Sequence, residues 1–260
     1  MDAARLVLNN PGTAIIVTGF YIPDAGAAET DGPPGAFVIG KALHDLGYTV
    51  VHLTDRYASS LMSSISGEHA RIVEFPIVDD DTSRAFAAGL LSDIKPSVII
   101  SIERCGLTGE GLYCNMRGTD ITAHNARIDH VFTDSHATLG IGDGGNEIGM
   151  GNLADQISKV DKLVEMPCVT RTTELVIASV SNWGGYGLVA ALSQYSLRGL
   201  LPSVSEERRL MKKIVDLGAV DGMSAFQEYK VDGFTFDENS ETVQALHDYL
   251  SNYGIRTSGI

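Results

Sequence analysis

Short, β-branched apolar runs alternate with segments of helical spacing through the first hundred residues, and that alternation leaves few architectures open. Residues 14–18, 48–53, 71–75 and 97–102 read as buried strands. Residues 36–46 place Ile39, Leu43 and Leu46 on one side, with Gly47 in the stop position. Residues 55–65 and 82–94 also read as helices, the latter apolar at Phe86, Leu90 and Ile94. Strands alternating with helices of this length imply mainly parallel pairing with both sheet faces covered. Further on, helices are expected at 129–138, 147–160, 184–197, 205–217 and 240–253. A short strand is expected at 139–141 and a longer one at 174–180. Residues 219–236 fit neither pattern. The expected fold is α/β: a mainly parallel sheet with helices on both faces. It is read as one domain over residues 1–260, with a small C-terminal subdomain from about residue 200 as an option.

Charge narrows the partners. The chain has 19 Lys+Arg against 33 Asp+Glu, a net charge of −14. It lacks the basic stripe that nucleic acid requires and is unsuited to anionic membranes. At 44% hydrophobic and 20% charged residues, it can bury a core. No apolar run reaches membrane-spanning length, and the first ten residues do not read as a secretory signal. Three cysteines without a C-x-x-C pair fit a reducing compartment, so a cytoplasmic location is expected. The expected partner is a small-molecule substrate, with a homo-oligomer left open.

In an open parallel sheet, ligands bind beyond the carboxyl ends of the strands. The long loop after the first strand carries Glu29 and Asp31. Glu103 and Arg104 follow the fourth strand, with Arg117 further along, and Asp143 and Glu147 follow the fifth; Asn182 follows the sixth. Crowded carboxylates repel unless a cation or shared protons intervene, and hard oxygen ligands suit Mg²⁺ or Mn²⁺. Segment 140–151 holds six glycines in twelve residues around Asp143, Asn146 and Glu147. It is neither a Walker loop nor a dinucleotide fingerprint. Amides at Gly144 and Gly145, with Asn146, could face an anion, and Asn182 could do so at a helix start. Plainer roles stand beside these. Asp143 and Asn182 could cap helices, Glu103 could be a cap or surface ion pair, and Arg104 and Arg117 could neutralise nearby acids. His124, His130 and His136, spaced by six, scatter around a helix and do not make a ligand set. Cys105 reads as an inert buried thiol more readily than as an activated one.

Several segments occur together in order: Thr18-Gly-Phe, Glu29-Thr-Asp31-Gly-Pro-Pro-Gly35, Ile102-Glu-Arg104, Asn115-Met-Arg117-Gly, the glycine segment 140–151 and Asp221-Gly222. Over residues 12–235 the chain resembles the C-terminal catalytic domain type of the D-glutamate cyclase family. With no room for the upstream domain of the animal mitochondrial members, it resembles the stand-alone microbial form. The resemblance implies an α/β hydro-lyase of D-amino-acid metabolism. Its reaction would be a metal-dependent cyclising dehydration of D-glutamate to 5-oxo-D-proline. It also implies Mn²⁺ or Mg²⁺ on acids, carried over to Glu29, Asp31, Glu103, Asp143 and Glu147. Under that reading Glu147 or Glu103 moves protons, and Arg117 or Arg104 holds the α-carboxylate. The same acids would also suit a Mn²⁺- or Mg²⁺-dependent phosphohydrolase whose glycine loop cradles phosphate, or a metal- or anion-binding protein without turnover.

Overall fold

The computed structural model describes residues 1–67, 70–133 and 136–256. Six parallel strands form the central sheet: β1 (Thr13–Val17), β2 (Thr49–Thr54), β3 (Arg71–Glu74), β4 (Val98–Ile102), β5 (Ala137–Gly142) and β6 (Glu174–Ile177). Their spatial order is β3-β2-β1-β4-β5-β6. Ile15 of β1 pairs with Val51 on one side and Ile99 on the other. The chain therefore reverses its direction of growth between β1 and β4, and the loops after these two strands diverge to leave a crevice.

Alternation of side chains assigns the core. Ala14 and Ile16 face one layer while Ile15 and Val17 face the other. The first layer takes α1 (Asp2–Leu8), α2 (Pro33–Asp45), α3 (Ser59–Ser66), α6 (Ser181–Ser196), α7 (Val204–Asp216) and α8 (Phe236–Ser251). Met211, Ile214, Val243 and Leu250, all beyond residue 200, share this core with Ile16 and Ile100. The second layer is covered by α4 (Asp80–Ile94) and a 3-10 turn at Ile128–Val131. The last two helices begin earlier than their apolar spacing suggests. Ser203 with Glu206, and Thr235 with Glu238, form reciprocal capping boxes that satisfy the first-turn amides.

Two expected helices are absent. The one over 129–138 is replaced by the 3-10 turn and the start of β5; residues 134 and 135 of that span lie outside the described residues. Of the one over 147–160, only a 3-10 turn at Gly151–Leu153 and α5 (Ala154–Ile157) form. Glycine opposes helix by roughly 1 kcal/mol per residue. Here the backbone finds other partners: Ile148 N–H donates to Arg104 O at 2.9 Å, and Gly149 N–H to Thr170 O at 3.0 Å. Gly149 lies flat on Gly140, where a Cβ would sit 2.8 Å from the Gly140 Cα.

A Cβ on Gly151 would be driven into the Val169 carbonyl, which is backbone and cannot rotate aside. Gly151→Ala is expected to lower stability by about 1–3 kcal/mol in urea unfolding. Gly89 lies exposed within α4 with open space around it, so Gly89→Ala should raise stability by about 0.5–1 kcal/mol. Equal effects at the two positions would contradict this packing.

Candidate active site

The crevice is organised by two residues that cap each other's helices. Asp31 precedes α2, yet its carboxylate accepts the Ser181 and Asn182 amides at the start of α6, both at 2.7 Å. Asn182 reciprocates: its Oδ1 accepts from Gly32 N–H at 3.1 Å and Gly35 N–H at 2.8 Å, and its Nδ2 donates to Thr30 O. Orphan donors of both helices are thereby satisfied by charged or polar oxygen. Asp31 Oδ1 also accepts from Gly32 N–H at 3.0 Å. Three of its roughly four acceptor sites are thus used, and one is left for the crevice.

Glu103 follows β4 with φ of 43°, a left-handed conformation uncommon for a residue with a Cβ, and Ser181 Oγ donates to its Oε2 at 2.5 Å. Asp143 enters from the loop after β5. Oxygens of Asp31, Glu103 and Asp143 lie within 4.8 Å of one another. One divalent ion with oxygen ligands at about 2.1–2.4 Å can span such a group. Asp232, which the sequence reading missed, adjoins this trio, its carboxyl close to those of Asp31 and Asp143. Contact between carboxyls demands a proton or a cation between them. Glu29 is buried at the side. A Cβ on Gly222 would sit 2.5 Å from Glu29 Oε2 and 3.1 Å from Asp232 Oδ1, so only glycine leaves room for both.

Asp232 is delivered by a hairpin, Lys230–Val231 against Phe234–Thr235, turned by Asp232-Gly233 with φ of 48° and 81°. Two positive φ values suit the twist of a two-residue hairpin. The Asp-Gly pair between Val231 and Phe234 was the available signal. Buried Asp221 locks the arrangement by accepting Gly233 N–H at 2.7 Å and Ser224 N–H at 2.8 Å.

Glu29, Glu103, Asp143, Asn146 and Asp232 line a cavity of about 240 Å³. Exposed Met116, Arg117 and Met223 surround its mouth. Asn115 Oδ1 accepts the Arg117 and Thr119 amides and so shapes the turn that presents Arg117. The Arg117 guanidinium donates to Met223 O and stands 3.5 Å from Asp24. Asn146 Nδ2 donates to Cys114 O, leaving Oδ1 buried without a partner; Glu29 Oε1 is likewise unpartnered among the described residues.

Other expected site residues lie elsewhere. Arg104 is buried and committed to Asp55 at 2.7 Å, Gly19 O at 2.8 Å and Ala126 O at 2.9 Å, so it is a strut between loops and not a substrate clamp. Glu147 accepts Gly144 N–H at 2.7 Å and Gly145 N–H at 2.8 Å. Those two amides therefore face Glu147 and make no anion cradle, and Glu147 does not line the cavity. Asn182 is consumed by the α2 cap. His124 stacks on Tyr21, and His130 pairs with Asp80. Burial pushes the Cys105 thiol well up, which opposes an activated thiolate.

Burial, and then the neighbouring carboxylates, hold Glu29, Asp31, Glu103 and Asp143 well above the carboxylate range, and burial raises Asp232 also. Without a cation, the folded protein keeps protons that the unfolded chain releases above about pH 4. Stability then falls as pH rises. In chelator, the melting temperature is expected to drop between about pH 5 and about pH 8, and Mn²⁺ should raise it most at the upper end. Asp143→Asn should flatten both responses. A melting temperature indifferent to pH and Mn²⁺ in the unsubstituted protein would count against this electrostatic picture.

A family model described as D-glutamate cyclase-like, C-terminal, matches residues 1–247. The human protein "D-glutamate cyclase, mitochondrial" is 29% identical over 94% of this chain and 47% of its own length. The chain thus spans about half the length of that curated relative. Among solved structures, a short chain dehydrogenase/reductase family oxidoreductase from Burkholderia thailandensis shares 16% identity over 55% of this chain and 54% of that one, with a TM-score of 0.31. NAD⁺-bound xylitol dehydrogenase shares 12% identity over 91% and 92%, with a TM-score of 0.32. The family match spans most of the sequence and includes every loop of the crevice: the chain belongs to the D-glutamate cyclase-like, C-terminal family.

Proposed function

We propose that the chain cyclises D-glutamate to 5-oxo-D-proline with release of water, using a divalent cation held by Asp31, Glu103 and Asp143. Three carboxylates converging on one buried point, in a member of this family, carry the reading. The α-amine must attack the γ-carboxyl carbon while one γ-oxygen departs as water. A bound Mg²⁺ or Mn²⁺ would reduce the negative charge of the γ-carboxylate.

The protein's own groups do the rest. Arg117 at the mouth presents a cation to the α-carboxylate. A cavity of this size favours a folded substrate, with amine and γ-carboxyl close enough to react. Glu29 and Asp232 line the cavity outside the converging trio and are the carboxyls on hand to take the two protons that the ammonium group loses and pass both to the departing γ-oxygen, which leaves as water. A phosphohydrolase is less well supported, because the glycine-loop amides that would cradle phosphate are bound to Glu147.

Incubation with D-glutamate and Mn²⁺ or Mg²⁺ should yield 5-oxo-D-proline on chiral chromatography. Glu103→Gln and Asp143→Asn are expected to lower kcat/KM by about 10²–10³-fold, the scale on which removal of one transition-state-stabilising group acts. Arg117→Ala should act chiefly on KM, since it anchors a group that does not react. Absence of 5-oxoproline, together with metal-dependent hydrolysis of a phosphate ester, would overturn the assignment.

A further inference from the structure

The cavity mouth gathers most of the protein's accessible sulfur. Of the seven methionines, Met62, Met150 and Met211 are buried and Met166 is partly covered. Met1, Met116 and Met223 are exposed, at 53%, 46% and 64%, and the last two line the active-site cavity. The three cysteines are buried, and burial pushes each thiol up, so none offers a thiolate to an oxidant. A thioether reacts without ionising, so exposure selects Met116 and Met223 over the other sulfurs around the site.

Met116 differs from Met223 in what lies beneath it. A Cβ on Gly144 would sit 2.1 Å from Met116 Sδ, so the sulfur rests directly on the backbone of the loop that carries Asp143. Asn115 fixes the turn that leads from Met116 into Arg117. Met223 meets no such constraint: a Cβ on Gly233 would lie 4.0 Å from its Cγ, an ordinary contact. Resting on the function proposed above, we propose that Met116 is a site of reversible oxidation by peroxides, and that its sulfoxide weakens substrate binding by lifting the 115–117 turn off the Gly144 loop. The thioether gives a lone pair to one peroxide oxygen as the O–O bond breaks. Sulfur is oxidised by two electrons, and the departing hydroxide takes the proton of the transferred oxygen and leaves as water. The product is bulkier and polar. Its oxygen has no space on the side that faces Gly144, and on the other side its negative end meets an acid-lined cavity. Relief comes from outward movement of the side chain, which carries the neighbouring Arg117 away from the α-carboxylate.

The full chain is treated with hydrogen peroxide in chelator, desalted and then given Mn²⁺. Peptide mass spectrometry locates each added oxygen, saturation-transfer NMR follows D-glutamate binding, and 5-oxoproline formation follows turnover. Oxygen should enter at Met116 and Met223 before any cysteine or buried methionine. The oxidised protein should bind D-glutamate about tenfold more weakly, the scale of one hydrogen bond to a charged group. Methionine sulfoxide reductases with a dithiol, which becomes a disulfide as the oxygen leaves in water, should restore binding. Met116→Leu, compared with itself before and after peroxide, should keep its affinity, whereas Met223→Leu should lose it as the unsubstituted protein does. Melting curves identify a variant that fails to fold, and rescue by the reductases keeps the test decisive without any substitution. An oxidised Met116 with unchanged affinity, or a Met116 that resists peroxide while buried methionines react, overturns the switch and leaves the cyclase reading standing. Loss of affinity that Met116→Leu does not prevent also overturns it. Peroxide-sensitive binding of D-glutamate without 5-oxoproline from untreated protein upholds the switch and overturns the cyclase reading. No binding of D-glutamate by untreated protein overturns both.

Discussion

Everything at the crevice depends on the exchange of caps between Asp31 and Asn182. Each residue satisfies amides at the start of the other's helix, so α2 and α6 can start side by side beyond β1 and β6. An uncompensated cluster of acids would normally push helices apart. Here the amide ends of two helices face the acids, and their partial positive charge offsets part of the repulsion. The clasp also explains why Asn182 is unavailable to a ligand although it stands at the edge of the site. A residue that holds a loop against a helix cannot also follow a substrate.

The fold was largely legible because its signals are local. Val98-Ile-Ile-Ser-Ile102 is apolar at four of its five positions, on both faces of the strand, and only a strand buried on both faces needs that composition. The missing helix over 147–160 shows where local reading stops. Its apolar residues are spaced well enough, yet Ile148 and Gly149 bond to Arg104 and Thr170, partners that no local pattern reveals.

The site was legible in part for a related reason. Glu29, Asp31, Glu103 and Asp143 announce themselves by following strands, since strand ends point into the crevice. Asp232 follows none and belongs to a hairpin far along the chain. Arg104 and Glu147 looked functional from their neighbours, but a charged side chain buried in a loop region first satisfies the backbone around it. Sequence shows which charges are near one another along the chain. It does not show which of them the loops have already consumed.

The Asp232 turn bears on how the protein reaches its working form. The sheet and its first acids come from residues 1–177, whereas Asp232 arrives on a hairpin next to α8. A growing chain can therefore pair all six strands while one wall of the crevice is still missing. Affinity for ligand would appear late, as the C-terminal hairpin closes and Asp221 fastens it. Ligand gathered at that moment would favour the closed form, tying completion of the tertiary structure to the presence of the molecule it binds.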